Sequence, residues 1–124
     1  MIALVAHDGR KKDLVEWARC HRGGLANENL VGTRSTAELL REELDLPVRG
    51  LASGPSGGDQ QIGAAIVAGE VSVLVFFWDP LWAAPHGDDV RALLRIATLH
   101  NVTVAVNPAS ADAMLSIDLA ARAA

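Results

Sequence analysis

Alternation is the feature that most narrows what this chain can become. β-prone segments at Ile2–Ala6, Asn29–Thr33, Val48–Leu51, Val71–Phe77 and Thr103–Val106 are separated by stretches of helical periodicity. Those stretches run from about Lys11 to His21, Ser35 to Leu44, Gln60 to Ala68 and Asp88 to His100, and a short helix over Ser110–Leu115 closes the series. Strands separated by whole helices pair in parallel, with the helices as crossovers on the two faces. Val71–Phe77 is apolar throughout, as suits a central strand covered on both sides. The chain has 124 residues, half of them hydrophobic, enough for one domain with a substantial core. We therefore expect an α/β fold, a single three-layer domain over 1–124 with a parallel, Rossmann-like five-stranded sheet flanked by helices. The alanine-rich end, 117–124, is expected to fray.

Local punctuation agrees with this order. Gly23-Gly24 ends the first helix, Pro47 follows the second, and Gly69 stops the third. Ser35 with Glu38 three residues on has the form of a capping box. In an open parallel sheet, ligands bind beyond the carboxyl ends of the strands. That edge gathers His7-Asp8, Thr33 to Thr36, Ser53 to Asp59, Asp79 to Asp89 and Asn107. The densest of these loops reads SGPSGGDQQIG over Ser53–Gly63 and brings Asp59 to the start of a helix. Asp59 has two readings, an N-cap for the first-turn amides or a catalytic carboxylate. The hydroxyls and exposed amides before it suit a phosphate or carboxylate ligand.

Composition removes several classes of function. A formal net charge of -4 and a pI near 5.4 argue against a nucleic-acid binder, whose affinity rests on dispersed cations. The apolar start, Met1–Ala6, is too short for a secretion signal or a membrane span, so a cytoplasmic protein without membrane association is expected. Cys20 is the single cysteine, consistent with a reducing compartment. Neither G-x-G-x-x-G after a strand nor G-x-x-x-x-G-K-[ST] occurs. His7, His21, His86 and His100 lack the close spacing of common zinc sites, and no metal is expected. Cys20 and His21, adjacent on a helix, point apart and make a poor nucleophile pair.

What remains is an anion cradle beside acid–base groups. The cradle comprises Lys11, Thr33, Ser35, Thr36, Ser53 and Gly54, the carboxylates are Asp8, Asp59, Asp79 and Asp89, and the imidazoles are His7 and His86. Such a set suits proton abstraction next to a carbonyl in a small phosphorylated substrate. A carboxylate takes the proton, an imidazole polarises the oxygen, and a lysine with fixed amides holds the phosphate. Plainer roles compete at several positions: Asp79-Pro80 as a turn, Asp88 and Asp89 as complements to a helix dipole, and Arg95 in an ion pair. Trp17 and Trp82 are expected to pack rather than to meet a ligand.

These residues fall into longer motifs. Ala6-His7-Asp8 with Lys11, SGPSGGDQQIGA, FFWDPL over Phe76–Leu81, Pro85-His86, Asp89-Val90, Ala92–Arg95, and Asn107 with Ala109, Ala111 and Asp112 occur in order. Together they resemble the methylglyoxal synthases over nearly the whole chain. The resemblance implies a lyase that converts dihydroxyacetone phosphate to methylglyoxal and inorganic phosphate without metal or organic cofactor. By that resemblance Asp59 is the base that removes a proton from C3 to form an ene-diolate. His7 assists at the oxygens, His86 donates nearby, and Asp89 joins the catalytic set. Lys11, Thr33, Ser35, Thr36, Ser53 and Gly54 hold the substrate and its phosphate, and Asp8 and Asp79 support. The same resemblance implies a homohexamer that responds to inorganic phosphate.

Two departures from the family pattern stand out. Arg34-Ser35-Thr36 replaces the usual Gly-Thr-Thr run, adding a cation at the second loop. The chain also runs only a few residues past Ile117, without the longer basic tail of some relatives, which weighs against inherited coupling between subunits. Two other functions fit the same motifs, an effector-binding domain such as that of carbamoyl phosphate synthetase and a triose phosphate isomerase analogue. The combination of Asp59 with His7 and His86 favours chemistry over binding alone, since a carboxylate base does nothing to hold a phosphate.

Overall fold

The computed structural model describes residues 1–82 and 87–115, the side chains of 88 and 89 excepted. Five strands form one sheet, β1 (Ile2–Ala6), β2 (Leu30–Gly32), β3 (Val48–Gly50), β4 (Val73–Phe77) and β5 (Thr103–Ala105). Their order is β3-β2-β1-β4-β5 and every pairing is parallel. The centre is therefore β1, with β4 beside it. The helices are α1 (Lys11–Cys20), α2 (Arg22–Leu25), α3 (Arg34–Leu44), α4 (Gly58–Val67), α5 (Gly87–Leu99) and α6 (Pro108–Leu115).

Strand periodicity divides the core into two layers. From β1, Ile2, Leu4 and Ala6 join Val73, Val75 and Phe77 of β4 in a cluster with residues of α1, α2, α3 and α6. The alternate residues Ala3, Val5, Leu74 and Phe76 pack with Ile62 and Ile66 of α4 and with Val90, Leu93 and Ala97 of α5. β1 and β4 are buried along their whole length, so each apolar run feeds two helical layers at once. This is the expected three-layer architecture. The chain winds outward from β1 to β3, then crosses back to β4, so the winding reverses between β1 and β4.

Three local expectations change. Gly23-Gly24 does not end the helical region, because a break at His21 (φ -112°, ψ 17°) is followed by α2, with Leu25 buried in the core. The Ser35–Glu38 capping box is not formed. Thr33 holds the cap position of α3, which starts at Arg34, so Glu38 lies two residues too far along and instead accepts from Arg34 Nε at 3.2 Å. Nor is Asp59 the cap of α4. Gly57 occupies that position in a left-handed conformation (φ 107°), open to glycine at little cost, and Asp59 is the second residue of the helix. The frayed end expected over 117–124 lies outside the described residues. Among the described residues no helix is long and apolar enough to cross a membrane.

Candidate active site

Beyond the carboxyl ends of β1 and its neighbours lies a cleft of about 340 Å³. That volume is near the lower end of the range for small-molecule pockets, about 300–1,000 Å³, and suits a small metabolite. It receives side chains from four strand ends. His7, Asp8 and Lys11 follow β1, Thr33 and Ser35 follow β2, Ser53, Gly54 and Asp59 follow β3, and Phe76 and Trp82 belong to β4 and the loop after it. The winding order brings these loops together, since successive crossovers deliver each of them to the same edge.

His7 is held by partners distant in sequence. Its ring Nδ1 lies 2.9 Å from the backbone nitrogen of Asp79. An amide N–H can only donate, so Nδ1 must accept, and the neutral ring carries its proton on Nε2. Phe76 and Trp82 meet the imidazole at near-perpendicular angles, with ring centroids 5.3 Å and 4.9 Å away. A neutral imidazole fixed as an Nε2–H donor can polarise a carbonyl oxygen.

Asp59 stands across the cleft. Both its carboxylate oxygens lie 3.6 Å from the point a Cβ on Gly54 would occupy, so the acid sits directly above the loop at van der Waals distance. Its height is set by Gly58, where a Cβ would collide with the carbonyl oxygen of Ala52. Glycine there lets the start of α4 press against the end of the β3 loop, and Gly58 donates its N–H to Ser53 O at 2.8 Å. Gln61 completes the clamp, its Oε1 accepting from Ala52 N at 2.8 Å. The sheltered carboxylate sits in the first turn of α4, where the helix dipole favours its ionised form.

The anion-binding side is built around Lys11. Its ammonium donates to Ala6 O at 2.9 Å and Asp8 Oδ1 at 2.8 Å, leaving a third N–H to face a ligand. Opposite, the first turn of α3 presents the Ser35 hydroxyl and helix-terminal amides, the arrangement that favours anions. Thr36 is not on the cleft surface. It is fully buried, and its Oγ1 accepts from Ala6 N at 3.4 Å and from Thr33 Oγ1 at 3.3 Å, tying α3 to the end of β1. Arg34 points along α3 to Glu38 rather than into the cleft.

Asp8 shows how Lys11 is steadied. The Lys11 hydrogen bond and charge hold the Asp8 carboxyl below its ordinary value, against slight desolvation. A depressed pKa adds stability above the unfolded value, about 4, and that contribution fades as pH falls through the folded value. With the Asp8 side chain 98% exposed, water screens the pair and its contribution is small. Asp8→Asn should therefore lower the melting temperature slightly near pH 7, by an amount that shrinks as pH falls through the folded value. A gap between the two proteins that persists in acid would contradict this origin.

Asp79 acts from behind the wall. Its carboxylate accepts from Leu81 N at 3.0 Å and pairs with Arg10 at 3.5 Å, while its amide holds His7. The turn reading and the supporting reading of Asp79-Pro80 thus coincide, with the backbone and not the carboxylate on the imidazole. Arg10, which also reaches Asp13 at 3.7 Å, joins the loops after β1 and β4 and escaped the sequence reading. Trp17 packs as expected, 6.0 Å from the Phe77 ring. Trp82 departs from expectation, being a wall of the cleft. Asp89 lies in α5 with its side chain outside the described residues, and His86 lies outside them altogether. Among the described residues no group of three or more His, Cys, Asp or Glu is placed to hold a metal ion.

Comparison with known proteins bears on this arrangement. The family model of the MGS-like domain matches residues 13–106. The methylglyoxal synthase of Leptospira interrogans serovar copenhageni is 55% identical over 115 residues, which span 93% of this chain and 78% of the relative. That of Pseudoalteromonas atlantica is 50% identical over 118 residues, 95% of this chain and 87% of the relative. The crystal structure of methylglyoxal synthase from Elizabethkingia anophelis is similar with a TM-score of 0.90 at 44% identity, covering 94% of this chain and 77% of that one.

Proposed function

Since the chain belongs to the methylglyoxal synthase family, we infer that it is a lyase converting dihydroxyacetone phosphate to methylglyoxal and inorganic phosphate. The observation that carries this reading is the meeting, in one small cleft, of Asp59 with a His7 ring fixed as an Nε2–H donor, beside the Lys11 cradle. Each group matches a step. Lys11, Thr33, Ser35, Ser53 and the amides near Gly54 take the phosphate, with Thr36 bracing the loop from beneath. Asp59 removes a proton from the hydroxymethyl carbon, and the electron pair forms the ene-diolate double bond while His7 donates toward the carbonyl oxygen. His86 and Asp89 complete the acid–base set by family resemblance, and Asp8 and Asp79 support Lys11 and His7.

The second step decides the product. As the hydroxyl on the terminal carbon loses its proton and becomes the aldehyde, the double bond shifts toward the phosphate-bearing carbon and the C–O bond to phosphate breaks. The enol released ketonises to methylglyoxal. Overlap requires that C–O bond to stand out of the ene-diolate plane, so the grip on the phosphate chooses elimination over isomerisation. This sequence requires neither a metal nor an organic cofactor.

The single domain over 1–124 would operate in the cytoplasm without nucleic acid or membrane, as a homo-oligomer, a hexamer by resemblance, with phosphate as product and inhibitor. Val67 and Leu99, 56% and 67% exposed at the far ends of α4 and α5, offer apolar surface for association away from the cleft. Incubating the purified protein with dihydroxyacetone phosphate and assaying both products tests the reaction, with equal amounts of methylglyoxal and phosphate expected. Binding without turnover would identify an effector domain, and glyceraldehyde 3-phosphate alone an isomerase.

A further inference from the structure

We propose that Trp82 is a positioning residue that locks the His7 imidazole in its donor orientation. The proposal builds on the lyase reading above, and its basis is the turn after β4. Trp82 N donates to Asp79 O at 3.2 Å, closing a four-residue turn with Pro80 at its second position, where proline is favoured. The first residue of that turn gives its amide to His7 Nδ1, and the fourth lays its indole against the same ring at 68° and 4.9 Å. Phe76, buried in β4, takes another side of the imidazole at 88° and 5.3 Å. One short turn thus sets both the hydrogen bond that selects the tautomer and the contact that stops the ring from swinging.

Packing alone does not account for the position of Trp82. Its residue is 50% exposed and joins neither hydrophobic cluster, so it gives the core little, while it lines the cleft beside His7. Truncating it leaves the turn, which is held by backbone and Asp79, and takes the indole away from the His7 ring. An aromatic contact of this kind biases the ring toward one orientation by a factor of roughly 3 to 10.

The test compares Trp82→Ala and Trp82→Phe with the wild type. For Trp82→Ala, kcat should fall by roughly 3- to 10-fold, with KM and melting temperature nearly unchanged, and Trp82→Phe should restore most of kcat. Nitrogen NMR of isotope-labelled histidine should show one Nε2–H form for His7 in the wild type and Trp82→Phe, and averaged shifts in Trp82→Ala. A raised KM with unchanged kcat would make Trp82 a substrate wall, and a lowered melting temperature with unaltered His7 signals would make it a packing residue. Either result overturns the proposal. Should the wild type show no turnover, the lyase reading fails, while the His7 signals still decide whether Trp82 positions the ring.

Discussion

Asp59→Asn should lower kcat by about 10²–10⁴-fold, the range over which a positioned acid–base group acts, while the protein stays folded. The amide matches the carboxylate in shape, so it fits the space above Gly54 and keeps the start of α4 intact. It cannot take a proton from carbon. Some stability is also lost, because a negative charge in the first helical turn interacts favourably with the dipole by about 0.3–1 kcal/mol. Steady-state kinetics with dihydroxyacetone phosphate, alongside circular dichroism melts, separates the two effects. Near-normal turnover with only a lower melting temperature would reduce Asp59 to a helix-terminal charge.

Gly58→Ala should damage stability and activity together. Its Cβ meets the Ala52 carbonyl, a backbone atom without a rotamer to escape through, and relief requires α4 to move off the β3 loop. Overpacking of this kind costs about 1–3 kcal/mol. The shift also carries Asp59 away from Ser53 and Gly54, and a displacement of about 1 Å in a catalytic group can cost on the order of 100-fold in rate. Gly63→Ala is the matched control, since a Cβ there meets nothing within 4 Å and should stabilise the helix by about 0.5–1 kcal/mol. Denaturant titrations of both variants test the pair. If Gly58→Ala were as stable as Gly63→Ala, the close approach of helix and loop would not be what holds the acid.

Legibility followed the range of the forces involved. Strand and helix positions were readable to within a few residues because apolar periodicity is a local property of each segment. The grouping of His7, Lys11, Thr33, Ser53 and Asp59 was readable too, because a parallel sheet sends every strand end to one edge. Whether Asp59 capped α4 stayed open in the sequence because Gly-Gly-Asp allows two starts for the helix, and the close approach of Gly58 to Ala52 goes with the earlier one. Hidden for a different reason was the Asp79 amide on His7, a hydrogen bond across 72 positions that uses backbone atoms common to every residue. Trp82 was taken for packing because an indole carries no mark of which ring it will meet.

The base and the imidazole are carried by unequal parts of the sheet. His7 continues β1, the central strand, whereas Asp59 follows β3, a three-residue strand at the boundary that is paired on one side only. Exposed ends of this kind open at lower free energy than buried centres. Heat or denaturant would therefore part the two halves of the chemistry before the core gives way. Strengthening the hold of β3 on β2 should therefore raise the temperature at which activity is lost.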